Sequence, residues 1–370
     1  SVTGDTIVDI PGLRVPIEKL FTSVDDIIGE KEYCTTNMTQ VLTYDKIHNT
    51  TVYKPVKYVM RHKCSKQLYR VYLNNSQWVD VTEDHSVMGY INTRFRGKWG
   101  DFMTEIKPQH LGHDINSIIY VKNKPHTMTK TLDLPIQVYE LMGIVLGDGW
   151  VSDKTNGGIL LSVGKKHIKD IECNLLQPLK DIEYITSWKT KPNGHDITIQ
   201  SSKLRKLLRE YLYRDDKKQV PEIMFQEKEE NIAGFLRGLF TADGFINKTG
   251  TIALCSVTLS HILDAQELLF KCGISSTYFT ENTENSFKGK FSGTYTKRLT
   301  VKSQKEFRDK IGFLVDDKQT KLLNYPIHKI RQFQSQYDFS VVTVYKVEKL
   351  PLIDDYVYDI EVEDTHTFFA

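Results

Sequence analysis

The sequence predicts a multidomain protein in which an all-β domain, formed from both ends of the chain, is interrupted by an α+β insertion. Three observations predict this class. Short strand-like segments dominate residues 1 to about 120 and roughly the last thirty residues. Helical periodicity dominates the region between them. That middle region also contains an internal repeat, which indicates that the insertion has two similar halves.

The composition is that of an ordinary globular protein. The chain has 370 residues, of which 40% are hydrophobic and 26% charged, and this length allows two or three domains. A net charge of +2 excludes a uniformly basic, histone-like protein but leaves room for a local DNA-binding face. No apolar run is long enough to span a membrane, and the first residues lack the charged and apolar parts of a signal peptide.

The cysteines show neither a CxxC pair nor the spacing of a metal site. We therefore expect buried thiols and a reducing, intracellular setting. The protein is expected to be soluble, in the cytoplasm of a prokaryote or otherwise in a nucleus or viral factory. The five cysteines are Cys34, Cys64, Cys173, Cys255 and Cys272.

Strands are predicted at both ends of the chain. Residues 67–73 alternate in polarity and run through the turn Asn74-Asn75 into residues 78–81, which is typical of a β-hairpin. Residues 341–347 and 357–362 have the same character near the end of the chain. Both terminal segments are therefore expected to contribute to one β domain.

Two polar stretches, at residues 122–126 and 331–336, bound the helical region. They predict a division of the chain into residues 1–130 with 337–370 for the β domain, and residues 131–336 for the insertion. A single β domain interrupted by a second domain is the simplest organisation that explains why the two ends resemble each other.

The internal repeat begins with two matching helices that both end in Asp-Gly. Residues 141–151 match residues 236–246, so that Asp148 and Asp243 are equivalent. Each helix is followed by strands, a helix that opens with His-Ile, further strands and a last helix. The two halves are expected to cover about residues 136–214 and 231–322. Several matches in the same order indicate duplication rather than chance.

Glycines recur at four-residue spacing on the two repeated helices. Gly143 and Gly147 share a face of the first helix, and Gly234 and Gly238 share a face of the second. Because glycine inside a helix costs about 1 kcal/mol relative to alanine, a compensating contact is expected. Small residues at this spacing allow two helix backbones to approach closely. The pattern therefore predicts that the two helices pack directly against each other.

The paired helix ends are a candidate catalytic site. Gly149 and Gly244 suit the left-handed position that often ends a helix. If the helices are parallel, Asp148 and Asp243 meet at one end and repel each other, and a divalent cation such as Mg²⁺ removes that penalty. Metal ions held in this way can activate water for phosphodiester cleavage. The alternative is that Asp-Gly only terminates each helix.

The paired segments resemble the motifs of the LAGLIDADG homing endonucleases over about 200 residues, from near Leu132 to near Tyr325. The resemblance implies two pseudo-symmetric αββαββα halves and Mg²⁺-dependent cleavage of double-stranded DNA by a monomer. It also implies that Asp148 and Asp243 are catalytic metal ligands.

Several residues around the two aspartates carry further implications of the resemblance. Gly147 and Ala242 precede the aspartates and are expected in the metal site. The segment Lys218-Gln219-Val220-Pro221 is similar to a block of the family ahead of the second motif, which makes Lys218 a candidate active-site lysine. The alternative for Lys218 is a solvated surface lysine. Thr241 replaces a carboxylate of the family pattern, and we expect no loss of activity from this change.

DNA binding is expected to place strands as a sheet in the major groove. Basic side chains of the insertion are candidates for phosphate contacts, although each one alone is more typical of a solvated surface charge. The candidates are Lys165, Lys166, Lys203, Arg205, Lys206, Lys288, Lys290, Lys297 and Arg298.

The ends of the chain carry a second constellation. The sequence opens with Ser1-Val2-Thr3-Gly4-Asp5-Thr6, Thr82-Glu83-Asp84-His85 follows the predicted hairpin, and Asp359 and His366 lie near the last residue. Each motif alone is weak. Together, in this order around an inserted endonuclease, they resemble the splicing blocks of inteins, most closely those of B-family DNA polymerases. The resemblance covers nearly the whole chain and implies an all-β Hint splicing domain.

The resemblance also implies a role for each of these residues, with no cofactor. The Ser1 hydroxyl would attack the preceding peptide carbonyl, which requires a base and a fixed geometry. His85 would protonate the amide nitrogen that leaves, and Thr82 would hydrogen-bond the carbonyl oxygen. Asp359 would coordinate cleavage at the two ends, and His366 would assist the C-terminal step. The alternatives are a charge at a strand edge for Asp359 and a turn residue for His366.

One departure concerns the last residues. The family closes with His-Asn, whereas this sequence stops at Ala370, so asparagine cyclisation is not expected from the residues given and DNA cleavage would be the remaining activity. The expected partners are a double-stranded DNA site and flanking exteins of a DNA polymerase, with no membrane. One alternative is a splicing module with a decayed endonuclease. The other, a free-standing nuclease with an unrelated β domain, does not explain the Ser1, His85 and Asp359 blocks.

Overall fold

The chain folds into two compact units in the computed structural model. One unit comprises Ser1–Thr129 with Arg331–Ala370, and the other comprises Lys130–Ile330. Among the helices of the described residues, none is both long and apolar enough to cross a membrane. The structure describes residues 1–35, 39–48, 50–95, 98–111, 117–121, 131–154, 157–191, 195–282, 295–326 and 339–370. The polar stretches at 122–126 and 331–336 lie outside these residues.

The first unit consists of strands with two short 3₁₀ helices, Ile17–Leu20 and Pro108–His110. Its strands before the second unit are β1 (Val2–Thr3), β2 (Ile7–Ile10), β3 (Leu13–Pro16), β4 (Asp26–Ile28), β5 (Lys31–Cys34), β6 (Gln40–Asp45), β7 (Thr50–Lys63), β8 (Leu68–Leu73), β9 (Trp78–Thr82), β10 (Val87–Phe95), β11 (Lys98–Ile106) and β12 (Ser117–Val121). Strands β8 and β9 form the predicted hairpin, with Tyr72 opposite Trp78.

The second unit alternates helices and strands. Its first half contains α1 (Ile136–Asp148), β13 (Gly149–Val151), β14 (Ile159–Ser162), α2 (Ile168–Ile171), a π-helical turn (Glu172–Leu176), α3 (Gln177–Asp181), β15 (Ser187–Thr190), β16 (Asp196–Gln200), α4 (Ser202–Leu212), β17 (Tyr213–Arg214) and β18 (Lys217–Lys218). Its second half contains α5 (Glu229–Asp243), β19 (Gly244–Ile246), β20 (Ile252–Ser256), α6 (Leu259–Lys271), β21 (Ser276–Asn282), β22 (Tyr295–Val301), α7 (Gln304–Lys310) and α8 (Asp316–Asn324). Short 3₁₀ helices lie at Lys165–His167 and Glu222–Phe225.

The first unit closes with β23 (Phe339–Lys349) and β24 (Tyr356–Val362). These two strands join a twelve-stranded sheet of order β11-β10-β12-β23-β8-β9-β1-β24-β7-β5-β4, in which β6 also pairs with β7. Strand β1 therefore lies between β9 and β24. Both terminal segments of the chain contribute neighbouring strands to one sheet.

The register around β1 determines which side chains meet. Val2 is opposite Val81 on one side and Tyr358 on the other. Since opposite residues of antiparallel strands share a face and neighbours along a strand alternate, Ser1 shares a face with Thr82 and Asp359. The opposite face of β1 buries Val2 in an apolar core with Val81 and Tyr358.

The second unit contains two four-stranded sheets with matching strand orders, β13-β14-β16-β15 and β19-β20-β22-β21. Within each half, a helix precedes the first two strands of the sheet, a second helical segment precedes the last two, and a third helix follows them. A continuous apolar core, which includes Tyr139 and Phe240, runs through both halves. The predicted combination of a β domain with an α+β insertion is confirmed at this level.

Helices α1 and α5 pack backbone to backbone through their glycines. A Cβ atom on Gly143 would lie 2.0 Å from the carbonyl oxygen of Phe235, and one on Gly238 would lie 1.9 Å from that of Glu140. Gly147, near the end of α1, meets Ala242 near the end of α5, so the two helices are parallel. The Arg237 guanidinium donates to the buried Glu140 carboxylate across the same contact at 2.5 Å.

The glycines that follow the two helices serve a different purpose from the one predicted. Gly149 has φ −113° and Gly244 has φ −92°, so both are extended rather than left-handed. A Cβ on Gly149 would lie 2.5 Å from Cα of Val145, and one on Gly244 would lie 2.5 Å from the carbonyl oxygen of Phe240. The left-handed prediction was wrong, and glycine is required because the chain turns directly back against its own helix.

The prediction of buried thiols holds only for some of the cysteines. Cys34 and Cys272 are buried, Cys64 and Cys255 are partly exposed, and Cys173 is exposed. Cys173 belongs to the π-helical turn, whose core side is occupied by Leu175 and Leu176. Although two leucines follow close behind it in sequence, the helical rotation places the thiol on the outer face.

Replacing Gly238 with alanine should destabilise the second unit. The added methyl group would force apart the α1–α5 contact, and overpacking of this kind costs about 1–3 kcal/mol. Urea unfolding of the full chain, followed by hydrogen exchange of peptides from Glu229–Asp243, measures this loss. Gly164→Ala is the matched control, because the nearest heavy atom to its Cβ would be 3.8 Å away. Equal stability of the two variants would contradict the backbone contact.

Candidate functional sites

The first candidate site lies where α1 and α5 end side by side. A Cβ atom on Gly147 would lie 2.7 Å from Cβ of Ala242 and 3.0 Å from Oδ2 of Asp243. The carboxylate of the second helix therefore lies against the last turn of the first helix. Asp148 ends that turn, and its charge acts on Asp243. The structure thus brings together the two aspartates that the repeat singled out.

The side chain of Lys218 caps the C-terminal end of α1. Its Nζ donates to the carbonyl oxygens of Val145, Gly147 and Gly149 at 3.0, 3.1 and 2.9 Å. These carbonyls lie at the negative end of the helix dipole, where a cation is stabilising. The alternative interpretation of Lys218 as a solvated surface lysine is therefore wrong.

Lys318, which was not among the predicted residues, closes the end of α5 in the same way. Its Nζ donates to the carbonyl oxygens of Thr241 and Gly244 at 2.7 and 2.6 Å. A signal in the sequence was available, since Asp-Asp-Lys-Lys-Gln at 215–219 recurs as Asp-Asp-Lys-Gln at 316–319. The one-residue difference in length hides this match in a comparison without gaps.

The four charged groups form one electrostatic cluster. Burial raises the pKa of Asp148, and burial followed by repulsion from Asp148 raises the pKa of Asp243 to about 6. Burial also lowers the pKa of Lys218 and of Lys318, against the attraction of both aspartates. Two carboxylates and two ammonium groups therefore share a poorly solvated site, an arrangement typical of catalytic centres.

Each half of the second unit also contacts the lysine segment of the other half. His261 Nε2 lies 3.0 Å from the carbonyl oxygen of Lys218. His167, the equivalent residue of the first half, places Nε2 2.8 Å from Oδ1 of Asp317, the neighbour of Lys318. The repeated histidines therefore connect the two halves at the positions that hold the lysines.

The donor set at the helix ends suits a hard divalent cation. The available ligands are the carboxylates of Asp148 and Asp243 and backbone carbonyl oxygens, and oxygen donors are those that Mg²⁺ prefers. The Gly147 carbonyl already accepts a hydrogen bond from Lys218, and Ala242 packs against Gly147. Within the described residues no group of three or more His, Cys, Asp or Glu side chains could hold a metal. Water or substrate oxygens would have to complete the coordination.

The second candidate site surrounds Ser1, whose side chain and amine are nearly buried. The amine donates to Thr82 Oγ1 at 3.1 Å and lies 2.9 Å from His85 Nδ1 and 3.6 Å from Asp359 Oδ2. The Ser1 hydroxyl lies 3.3 Å from Nε2 of His62, a residue that the sequence did not single out. The structure therefore brings Ser1, Thr82, His85 and Asp359 together, and their roles in splicing remain predictions.

His85 is held neutral beside the Ser1 nitrogen. Burial, followed by the positive charge of the amine, lowers the pKa of His85 to about 4 against the attraction of Asp359. Burial also lowers the pKa of the Ser1 amine. The backbone N–H of His85 donates to the Thr82 carbonyl at 2.9 Å, which explains the spacing of the Thr-x-x-His segment.

His366 has a different neighbour. Its Nδ1 lies 2.6 Å from Oε1 of Glu361, and its backbone is left-handed with φ 54°. No described contact joins His366 to Ser1, His85 or Asp359. The turn-residue alternative fits this conformation, and the proposed role in a C-terminal step remains a prediction.

The structure changes the set of candidate DNA-contacting side chains. Arg205 is only 7% exposed and is therefore unsuited to a surface phosphate contact, because the helical periodicity of α4 turns it inward. Lys166 pairs with Asp317, and Lys297 Nζ donates to the Val257 carbonyl. Lys288 and Lys290 lie outside the described residues. The remaining candidates stay predictions.

Comparisons with known proteins connect both sites to sequence relatives. Residues 230–312 match the family described as LAGLIDADG-like domain. A DNA polymerase of Thermococcus litoralis is 38% identical over 369 residues, which are 96% of this chain and 21% of that protein. The alpha subunit of a ribonucleoside-diphosphate reductase of Bacillus subtilis is 31% identical over 161 residues, which are 38% of this chain and 15% of that protein. The chain spans about a fifth of the length of the polymerase it matches.

Two solved structures show distant similarity. The homing endonuclease I-DmoI, solved in complex with DNA and Ca, is 14% identical with a TM-score of 0.35, over 51% of this chain and 97% of that chain. An intein from a hyperthermophile is 18% identical with a TM-score of 0.26, over 33% of this chain and 71% of that chain. At these scores the two matches add nothing to the sequence relationship.

The raised pKa of Asp243 should make stability depend on pH. The folded chain keeps a proton up to about pH 6 that the unfolded chain releases near pH 3.8. The free energy of unfolding should therefore fall as pH rises through this window, by on the order of 3 kcal/mol. Asp243→Asn should remove this contribution to the slope in urea unfolding at a series of pH values. The exposed control Asp181→Asn should keep it, and equal slopes for all three proteins would refute the assignment.

Proposed function

We propose that the chain is an intein with an inserted homing endonuclease. It carries a LAGLIDADG-like domain and is homologous along nearly its whole length to a segment of Thermococcus DNA polymerases. These relationships confirm the resemblance seen in its sequence. The first unit is the Hint splicing domain, and the second is the DNA-cleaving domain with two pseudo-symmetric αββαββα halves. Both assignments rest on the residues gathered at the two candidate sites.

The range of relatives supports an inserted element. Segments of this chain match a DNA polymerase and also a ribonucleoside-diphosphate reductase, two proteins whose names describe different activities. A segment found in both is not explained by the chemistry of either. An element that is removed from its host protein by splicing, and that carries a nuclease able to open DNA at a new insertion site, explains its presence in both.

The observation that carries the nuclease function is the meeting of two carboxylates and two lysines at the ends of α1 and α5. Asp148 and Asp243 hold the negative charge that attracts a divalent cation, with the carbonyl oxygens of Gly147 and Ala242 beside them. These groups would hold Mg²⁺, which would supply a Lewis acid for activation of a water and for the leaving oxygen of a phosphodiester. Lys218 and Lys318 provide positive charge for the phosphate, from positions that the helix-end carbonyls fix.

The two matching sheets provide the surface for double-stranded DNA. Each sheet follows one of the two helices that carry the aspartates, so each half has its own strands and its own carboxylate. Two similar halves suit a target with two half-sites. Since one chain supplies both halves, the nuclease acts as a monomer.

The splicing function rests on the geometry around Ser1. The Ser1 hydroxyl is the nucleophile that converts the preceding amide to an ester. His85 lies at the nitrogen that leaves, Thr82 contacts the same nitrogen, and Asp359 brings a carboxylate from the C-terminal segment to the same point. His366 acts in the C-terminal step, and the reaction needs no cofactor. The flanking segments are the exteins of a DNA polymerase.

The nuclease should cut a DNA duplex that carries the polymerase gene sequence without the intein, in the presence of Mg²⁺. Asp148→Asn and Asp243→Asn should each lower the cleavage rate by at least about 100-fold, because each removes charge that holds the cation. Gel analysis of the duplex measures the rate, and Asp181→Asn, on an exposed helix end, should cut like the unaltered protein. No cleavage at all would favour the second candidate function, a splicing module with a decayed endonuclease.

A precursor with both exteins and a C-terminal His-Asn should release ligated exteins. Ser1→Ala should abolish cleavage at the N-terminal junction, and His85→Ala should slow it by at least about 100-fold, because the nitrogen would leave without a positioned proton donor. Mass spectrometry of the products follows the reaction. The surface variant His110→Ala is the control. Splicing of the Ser1→Ala precursor at the normal rate would exclude this mechanism.

A further inference from the structure

His62 lies beside the Ser1 hydroxyl, and none of the proposed splicing roles involves it. Strand β7 pairs with β24 so that His62 is opposite Val357, which shares a face with Asp359. His62 therefore points to the same face of the sheet as Ser1. Its Nε2 lies 3.3 Å from the Ser1 hydroxyl oxygen, within reach of a hydrogen bond.

The other nitrogen of the His62 ring fixes its tautomer. Nδ1 lies 2.9 Å from the carbonyl oxygen of Lys63, and a carbonyl oxygen can only accept a hydrogen bond. In the neutral ring Nδ1 therefore carries the proton, and Nε2 presents a lone pair to the Ser1 hydroxyl. This is the orientation that a general base requires, with the backbone carbonyl in the orienting position that a carboxylate often occupies.

The two histidines at Ser1 contact different atoms. His85 Nδ1 lies 2.9 Å from the Ser1 nitrogen, whereas His62 Nε2 lies beside the Ser1 oxygen. In an amide-to-ester conversion the oxygen loses a proton and the nitrogen gains one. Two separate imidazoles, one at each atom, match these two proton transfers.

We propose that His62 is the general base that activates Ser1, an inference that rests on the proposed splicing function. The Ser1 Oγ–H proton passes to His62 Nε2 while Oγ forms a bond to the carbonyl carbon of the preceding residue. The carbon–nitrogen bond then breaks, and the nitrogen leaves with a proton from Nδ1 of the protonated form of His85, which the uncharged amide nitrogen of the precursor does not repel as the charged amine of free Ser1 does. One proton is taken up and one is released, and exchange with water returns both rings to their starting states.

The test uses a precursor in which a small protein domain precedes Ser1, with hydroxylamine to cleave the ester as it forms. His62→Ala should slow hydroxylamine-dependent release of the domain by at least about 100-fold, the usual contribution of a general base. The same substitution in a Ser1→Cys precursor should slow release by less than about 10-fold. A thiol, with an ordinary pKa near 8.5, forms its nucleophilic anion without a strong base.

The outcomes separate the possible roles of His62. A large loss with serine and a small loss with cysteine supports the base, and the reactive cysteine variant shows in addition that the His62→Ala chain is folded. Equal losses with both nucleophiles, or no loss with serine, would overturn the proposal. His110→Ala, on the exposed surface, should leave both rates unchanged. If the unaltered precursor forms no hydroxylamine-sensitive bond, the proposed splicing function fails before the role of His62 arises.

Discussion

The backbone contact between α1 and α5 is the constraint on which the second unit depends. Gly143 and Gly238 have no room for a Cβ atom, since the opposing carbonyl oxygens would lie 2.0 and 1.9 Å away. This approach makes the helices parallel and brings Asp148 and Asp243 to one end. A larger side chain at either glycine would separate the aspartates as well as the helices. The contact between the two helices therefore determines both the packing of the unit and the geometry of its site.

The parallel arrangement of the helices is electrostatically unfavourable, and two lysines partly offset the repulsion. Parallel helices place two negative dipole ends together, and the two aspartates add further negative charge. Lys218 and Lys318 each donate to backbone carbonyls at one helix end while attracting both carboxylates. Their own pKa values are lowered by burial, so the compensation is incomplete. A site left in this condition suits the divalent cation and the DNA phosphates of the proposed nuclease.

The sequence was informative where a physical requirement recurred. The repeated Gly-xxx-Gly spacing and the repeated Asp-Gly predicted the helix pair and its aspartates, because both copies need the same contact. Lys318 was missed because its segment is one residue shorter than that of Lys218. His62 carries no motif, and its position follows only from the register of β7 against β24. The inward turn of Arg205 follows from the helical periodicity of α4, and the extended backbone at Gly149 follows from its contact with Val145 of the preceding helix.

The sheet of the first unit also explains how a chain can hold a second unit without losing its own fold. Strand β12 is the last before the second unit and β23 is the first after it, and the two pair with Val121 opposite Phe339. The chain thus leaves and re-enters the sheet at neighbouring positions, where an insertion disturbs no strand pairing. Strand β24 then pairs with β1 beside Ser1 and delivers Asp359 from the far side of the insertion. The site at Ser1 is therefore complete only when both terminal segments pair in the sheet. The proposed splicing chemistry requires that the second unit leave the pairing of β1 with β24 intact.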